Sequence, residues 1–204
     1  MTLADGFARQ LAHPRGLAGR LLGEAMDLAN RKPTRLALDL LGAQAGEAIL
    51  DAGCGTGAAM ASLLRRTPCS VTGIDPSGTM LAKASKKLGH RARLYRASLR
   101  SLPFADGAFD AALALNVLYF TDEQGQMLGE LRRVLRPGGR LVAYVTHRET
   151  MRDWPIAKAG LHRLFDGEEL ERTLVAGGFD PERICVQQCR VTRSVKGLLV
   201  QAER

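Results

Sequence analysis

An apolar run that ends in a carboxylate and then carries glycine at every second position, Ile49-Leu50-Asp51-Ala52-Gly53-Cys54-Gly55-Thr56-Gly57, constrains this chain more than any other stretch. A parallel strand that hands over to a helix beside a ligand needs backbone freedom and no Cβ in the way, and alternating glycines supply both. The run therefore predicts a strand, a cofactor-binding turn and a helix. Asp51 sets the sign of the cofactor. A dinucleotide pyrophosphate is an anion that a fixed negative charge at the loop mouth repels, whereas S-adenosylmethionine presents an ammonium and a sulfonium, so Asp51 favours the cation. The glycines alone leave both open, because Gly53-x-Gly55 followed by Ala58 also satisfies the loose dinucleotide pattern.

A second carboxylate narrows the choice to nucleoside cofactors. Val71-Thr72-Gly73-Ile74-Asp75 is another apolar strand ending in an acid, about 20 residues past the glycines, the spacing of a carboxylate that accepts from ribose hydroxyls. Beyond it, strand and helix signals alternate as in a parallel sheet with crossover helices. Strands fit 47–52, 70–75, 92–96, 109–115, 139–146, 183–191 and 196–202; helices fit 56–66, 77–89, 122–135 and 166–177. The last two strands are joined around Arg193-Ser194, too few residues for a crossover, so they must form a hairpin.

Four segments together resemble the class I S-adenosylmethionine-dependent methyltransferases, in particular the small bacterial type related to ubiquinone and menaquinone C-methyltransferases. They are Asp51 to Gly57; Gly73-Ile74-Asp75-Pro76-Ser77 with Met80; Leu102-Pro103-Phe104 leading to Phe109-Asp110; and Arg133-Val134-Leu135-Arg136-Pro137-Gly138-Gly139-Arg140-Leu141. The match is close over 45–146 and loose elsewhere. The resemblance implies a Rossmann-like α/β fold: a seven-stranded, mostly parallel sheet with an antiparallel last strand and helices on both faces. It implies one domain, with a helical lid over 1–45, a cofactor-binding core over 46–146 and a substrate-side loop, helix and hairpin over 147–204. Gly53, Cys54, Gly55 and Gly57 would face the methionyl part of the cofactor, Asp51 its ammonium, and Pro76 and Met80 its adenine. The family often places an acid after the third strand to hold the adenine amino group. Here that place falls on Ser98, so adenine recognition would lean on the backbone of Leu99.

The edge rule for open α/β sheets adds Asn116, which ends the fourth strand beside the expected sulfonium, and His147, just past the fifth strand, as a general base. Tyr119, Tyr144 and Trp154 are candidates for shaping the acceptor pocket. Methyl transfer is an in-line displacement at an activated carbon, so positioning suffices unless the acceptor ionises poorly.

A chain of 204 residues with 46% hydrophobic content suits one globular domain. No apolar run approaches the ~20 residues of a membrane span, which suggests a cytoplasmic protein. Cys54, Cys69, Cys185 and Cys189 show no zinc-like pairing and read as reduced structural thiols, Cys185 and Cys189 on one face of a strand. The net charge of +8 is concentrated in Lys83, Lys86, Lys87, Arg91, Arg93, Arg96 and Arg100, an 18-residue stretch without an acid. No RNA-binding module accompanies it and aromatic residues are few, which disfavours nucleic acid as substrate. No Asn/Asp-Pro-Pro-Tyr tetrad follows the fourth strand, and Pro68-Cys69 lies at the wrong edge for a cytosine-attacking thiol. The acceptor is thus expected to be a small molecule, with lipid- or quinone-like compounds included. A nicotinamide oxidoreductase and a non-catalytic, membrane-associated cofactor-binding module are the alternatives.

Overall fold

A computed structural model describes residues 27–122, 124–154, 157 and 162–204. Its strands are β1 (Ala48–Ala52), β2 (Ser70–Ile74), β3 (Arg93–Tyr95), β4 (Phe109–Leu115), β5 (Leu135–Thr146), β6 (Ile184–Arg190) and β7 (Lys196–Glu203). The helices are α1 (Arg31–Leu41), α2 (Ala58–Arg66), α3 (Gly78–Leu88), α4 (Gln126–Val134), the single turn α5 (Arg148–Met151) and α6 (Gly167–Ala176).

Strands that read as continuous apolar runs must be covered on both faces, and here they are. Odd-numbered positions of β4 and their counterparts on β5, Ala111, Leu113, Val142 and Tyr144, pack with Leu38, Leu41, Met60, Leu63 and Leu88 of α1, α2 and α3. Even-numbered positions of β4 and their counterparts on β5, Ala112, Ala114, Leu141, Ala143 and Val145, pack with Leu128, Leu131, Leu170 and Leu174 of α4 and α6.

The strand order is β3-β2-β1-β4-β5-β7-β6. β1 to β5 run parallel, while β7 is antiparallel to both neighbours and forms the expected hairpin with β6. The chain winds outward from β1 through β3 and returns to lay β4 beside β1. That reversal opens a crevice at the carboxyl ends of β1 and β4, where ligands bind in sheets of this kind.

Two quoted sequence segments form one buttress at the other end of the sheet. Arg133, at the end of α4, donates to the carbonyls of Leu102 and Phe104 and pairs with Asp106 and Glu130. Arg136 pairs with Asp110 at 2.8 Å, and Asp110 in turn accepts from the Ala48 N–H at the start of β1. Arg140 completes it with a two-pronged pair to Glu47, both prongs at 2.8 Å, and a bond to the carbonyl of Leu41. That guanidinium holds the Glu47 carboxyl below its ordinary range.

The N-terminal segment divides. α1 packs on the sheet over β4, β5 and β7, leaving only its start near the crevice. The first part of the expected helical lid, residues 1–26, lies outside the described residues, as do parts of the 147–165 connection.

Candidate active site

A cavity of about 790 Å³ opens at the crevice. β1 brings Asp51 to it, the following loop Gly53, Cys54, Gly55 and Thr56, β2 and its exit Asp75, Pro76 and Ser77, and β4 Asn116. Met80, Ser98 and Leu99 also line it, so ten of the eleven residues expected to bind the cofactor converge there.

The glycine loop is shaped by Asp75. One carboxylate oxygen accepts from the Gly55 N–H at 3.0 Å and the other from the Ser77 N–H at 2.8 Å. Gly55 lies at φ +52° with open space where a Cβ would stand, so its backbone faces the cavity bare. Asp51 is buried, and its Oδ2 has no hydrogen-bond partner among the described residues. A buried, unpartnered carboxylate oxygen costs free energy unless a ligand supplies a donor or cation. Burial, reinforced by the charge of Asp75, pushes Asp51 up to about 7. An ammonium fits this oxygen and a pyrophosphate does not.

Gly57 is the exception among the eleven. It sits at φ +75° as the residue preceding α2, and a Cβ there would come within 2.9 Å of Leu88 Cδ1 and 3.1 Å of Ala84 Cβ on α3. Its task is helix packing, and it does not line the cavity. Gly57→Ala is expected to destabilise the fold by about 2–4 kcal/mol, from backbone strain plus overpacking. A urea melt checks this, and ligand affinity of the folded fraction should stay near that of the parent.

Ser98 is committed locally, its Oγ accepting from the Arg100 N–H at 3.1 Å. Burial pushes the Cys54 thiol far up, with Asp51 and Asp75 adding to the effect, so it is a neutral lining group and no nucleophile.

Asn116 is the one described non-glycine residue with positive φ, at 56°. Both ends of its side chain are engaged: Oδ1 accepts from the Tyr119 hydroxyl and Nδ2 donates to Asn30 Oδ1, each at 3.0 Å. The Tyr119 oxygen also accepts from the Thr146 N–H at 2.5 Å. One hydrogen-bonded line thus ties the start of α1 to the ends of β4 and β5.

The other expected acceptor-side residues go elsewhere. Tyr144 is buried on the far face of β5 against Gly197, where burial pushes its hydroxyl up to about 12. The imidazole of His147 caps α5, its Nδ1 accepting from the Glu149 N–H at 3.2 Å. Trp154 is 40% exposed. None of the three lines the cavity. Among the described residues the histidine that does is His162, whose ring lies 4.8 Å from Phe120 and 5.9 Å from Tyr119. The edge rule pointed to the start of the β5–α6 connection, whereas its return pass forms the wall.

Asp27 and Asn30 also went unread. Asp27 accepts from Thr56 Oγ1 and pairs with Lys87 at 3.2 Å, and both residues line the cavity. The only signal was Asn30 shortly before Pro33, a helix-start pattern, and the Asn30 side chain reaches Asn116 instead of capping α1.

The family described as "Methyltransferase domain" matches residues 50–143. An O-methyltransferase, rstn1, of Aspergillus nomiae is 31% identical over 168 residues, covering 76% of this chain and 74% of its own. The chain belongs to the class I S-adenosylmethionine-dependent methyltransferases. The demethylmenaquinone methyltransferase of Thermus thermophilus is 44% identical over 131 residues, 62% of this chain and 58% of that enzyme. Among solved structures, the Haloferax volcanii methyltransferase bound to the activator Trm112 superposes with a TM-score of 0.77 over 89% of this chain and 92% of its own. At 17% identity that likeness concerns the methyltransferase fold alone. The chain spans from 34% to 63% of the length of several other curated relatives it matches.

Proposed function

We propose that this methyltransferase-family chain transfers a methyl group from S-adenosylmethionine to a small-molecule acceptor. The observation that carries the reading is the buried, unpartnered Asp51 oxygen on the cavity wall, beside an Asp75 carboxylate that shapes the bare glycine loop. The cofactor, when bound, supplies a methyl group activated on a sulfonium. Asp51 holds the ammonium of its amino-acid end. Asp75, at the exit of β2 on the cavity wall, would accept from the ribose hydroxyls. Pro76, Met80 and Leu99 enclose the adenine, and the fixed Asn116 bounds the reacting end.

The acceptor lies against Tyr119, Phe120 and His162. Holding it positioned for attack would supply on the order of 7–11 kcal/mol of the barrier. Where the acceptor is a hydroxyl that must ionise, the His162 imidazole takes the proton. This replaces His147, whose ring serves as a helix cap. Among the described residues no helix is long and apolar enough to cross a membrane.

Calorimetric titration with S-adenosylhomocysteine, with NADH as the control, tests the reading. Micromolar affinity for the former, about 8 kcal/mol, is expected, with none for NADH. The reverse pattern would replace the methyltransferase reading with a nicotinamide one. Cofactor binding without methylated product from any of a panel of phenols, quinols, amines and lipids would leave a non-catalytic binding module.

A further inference from the structure

The seven basic residues between Lys83 and Arg100 are not among those assigned to the cofactor, and several of them are committed where they stand. Lys87 bonds Asp27 and Thr56, Arg91 caps the carbonyls of Lys87 and Leu88 at the end of α3, and Arg96 donates to the Pro76 carbonyl. Arg100 differs, because it alone of the seven basic residues lines the cavity. Its side chain is 54% exposed, and its nearest carboxylate, Asp122, lies 3.8 Å from Nε, beyond hydrogen-bonding reach. The two terminal nitrogens of its fork make no bond to any described residue.

The other arginine that lines the cavity among the described residues is fully engaged. Arg163 pairs with Glu169 at 2.6 Å, donates to the Asp122 carbonyl and Thr173, and lies over the Phe165 ring. Arg100 therefore offers the cavity a two-pronged cation. Asp122 places it beside the aromatic wall, since this residue follows Phe120 and Thr121 directly and its carbonyl accepts from Arg163, the neighbour of His162. Among the described residues, the carboxylates that line the cavity, Asp27, Asp51 and Asp75, gather instead around the glycine loop.

We propose that the methyl acceptor is a planar acid, its carboxylate gripped by Arg100 and its ring flanked by Phe120 and His162. A planar guanidinium matches a carboxylate with two parallel bonds, and a partly enclosed site strengthens both. This assignment rests on the methyltransferase reading and narrows it to a substrate class.

The test is calorimetry on the full chain saturated with S-adenosylhomocysteine, using two matched pairs: 4-hydroxybenzoate against 4-hydroxybenzamide, and 1-hydroxy-2-naphthoate against its carboxamide. In at least one pair the acid is expected to bind at least tenfold more tightly than the amide. Arg100→Gln should equalise that pair while S-adenosylhomocysteine affinity stays within twofold, and Arg100→Lys should keep a reduced preference for the acid. Equal binding within both pairs, no binding of any of the four compounds, or a preference that survives Arg100→Gln overturns the proposal. So does loss of S-adenosylhomocysteine affinity in Arg100→Gln, which would assign the residue to the cofactor. If the unmodified chain fails to take up S-adenosylhomocysteine at the first step, the methyltransferase reading itself falls, a result distinct from all of these.

Discussion

Asp51→Asn is expected to remove S-adenosylhomocysteine binding and, above neutral pH, to make the ligand-free protein more stable. The carboxylate is buried with one oxygen unpartnered, beside a second negative charge, and these raise its pKa to about 7. Its ordinary value is 3.8. The folded state therefore binds the proton more tightly than the unfolded chain does. Below about pH 4 both states are protonated and nothing is lost. Between about 4 and 7 the cost of ionising the folded protein grows, and above 7 it is complete at about 4 kcal/mol, from about 1.4 kcal/mol per pH unit.

Asparagine carries no such cost, so the variant's advantage in a denaturant melt should be largest at pH 8 and vanish at pH 4. Affinity runs the other way. Without a carboxylate to meet the ammonium, binding should weaken by about 3 kcal/mol or more, over a hundredfold. In the unmodified protein, affinity should fall as pH drops below 7, because Asp51 must lose its proton to bind the cation, and in Asp51→Asn that slope should be absent. A variant that bound normally, or that was no more stable at pH 8 than its parent, would remove Asp51 from the site.

Asp75→Ala is expected to cost at least as much affinity, by a different route that one ligand can separate. Its two oxygens hold the N–H groups of Gly55 and Ser77, so truncation unclamps the glycine loop as well as deleting the acceptor for the ribose hydroxyls. Methylthioadenosine has the ribose and adenine but no ammonium. Asp75→Ala should therefore lose both it and S-adenosylhomocysteine by about a hundredfold or more, whereas Asp51→Asn should lose only the latter. Retention of methylthioadenosine by Asp75→Ala in direct titration would refute the ribose assignment.

What the sequence made legible follows the range of the interactions involved. Asp51 and Asp75 end apolar strands of a parallel sheet, and such strands place their last residue at the ligand edge whatever else the fold does. The β6–β7 hairpin followed from loop length alone, since so short a connection cannot cross over. Arg133 and Arg136 were read as one motif and the loop around Phe104 as another, yet they are a single buttress, because bonds between residues 27 to 31 positions apart leave no local signature.

Gly57 shows the limit of a pattern within a loop. Three alternating glycines look equivalent on paper, and only the position of α3 reveals that the third serves packing. His147 and Tyr144 were drawn in by their place along β5. Strand alternation turned Tyr144 to the far face, and a helix start claimed the imidazole of His147. His162, Asn30 and Arg100 reach the cavity from connections, whose course depends on what they pack against.

The two walls of the cavity have unequal freedom to change. The wall around Asp51 and Asp75 consists of strand ends whose preceding residues fill the cores on both faces of the sheet, so a substitution there is paid for in folding as well as in binding. The wall bearing Arg100, Phe120 and His162 hangs on links between those strands and helices, and its residues are less buried than Asp51 and Asp75, so exchanging them disturbs the packing less. A lineage built on this plan can drift from one acceptor to another through few replacements while its cofactor chemistry stands still. Relatives should accordingly resemble this chain most around the glycine loop and least along the links that follow β3, β4 and β5.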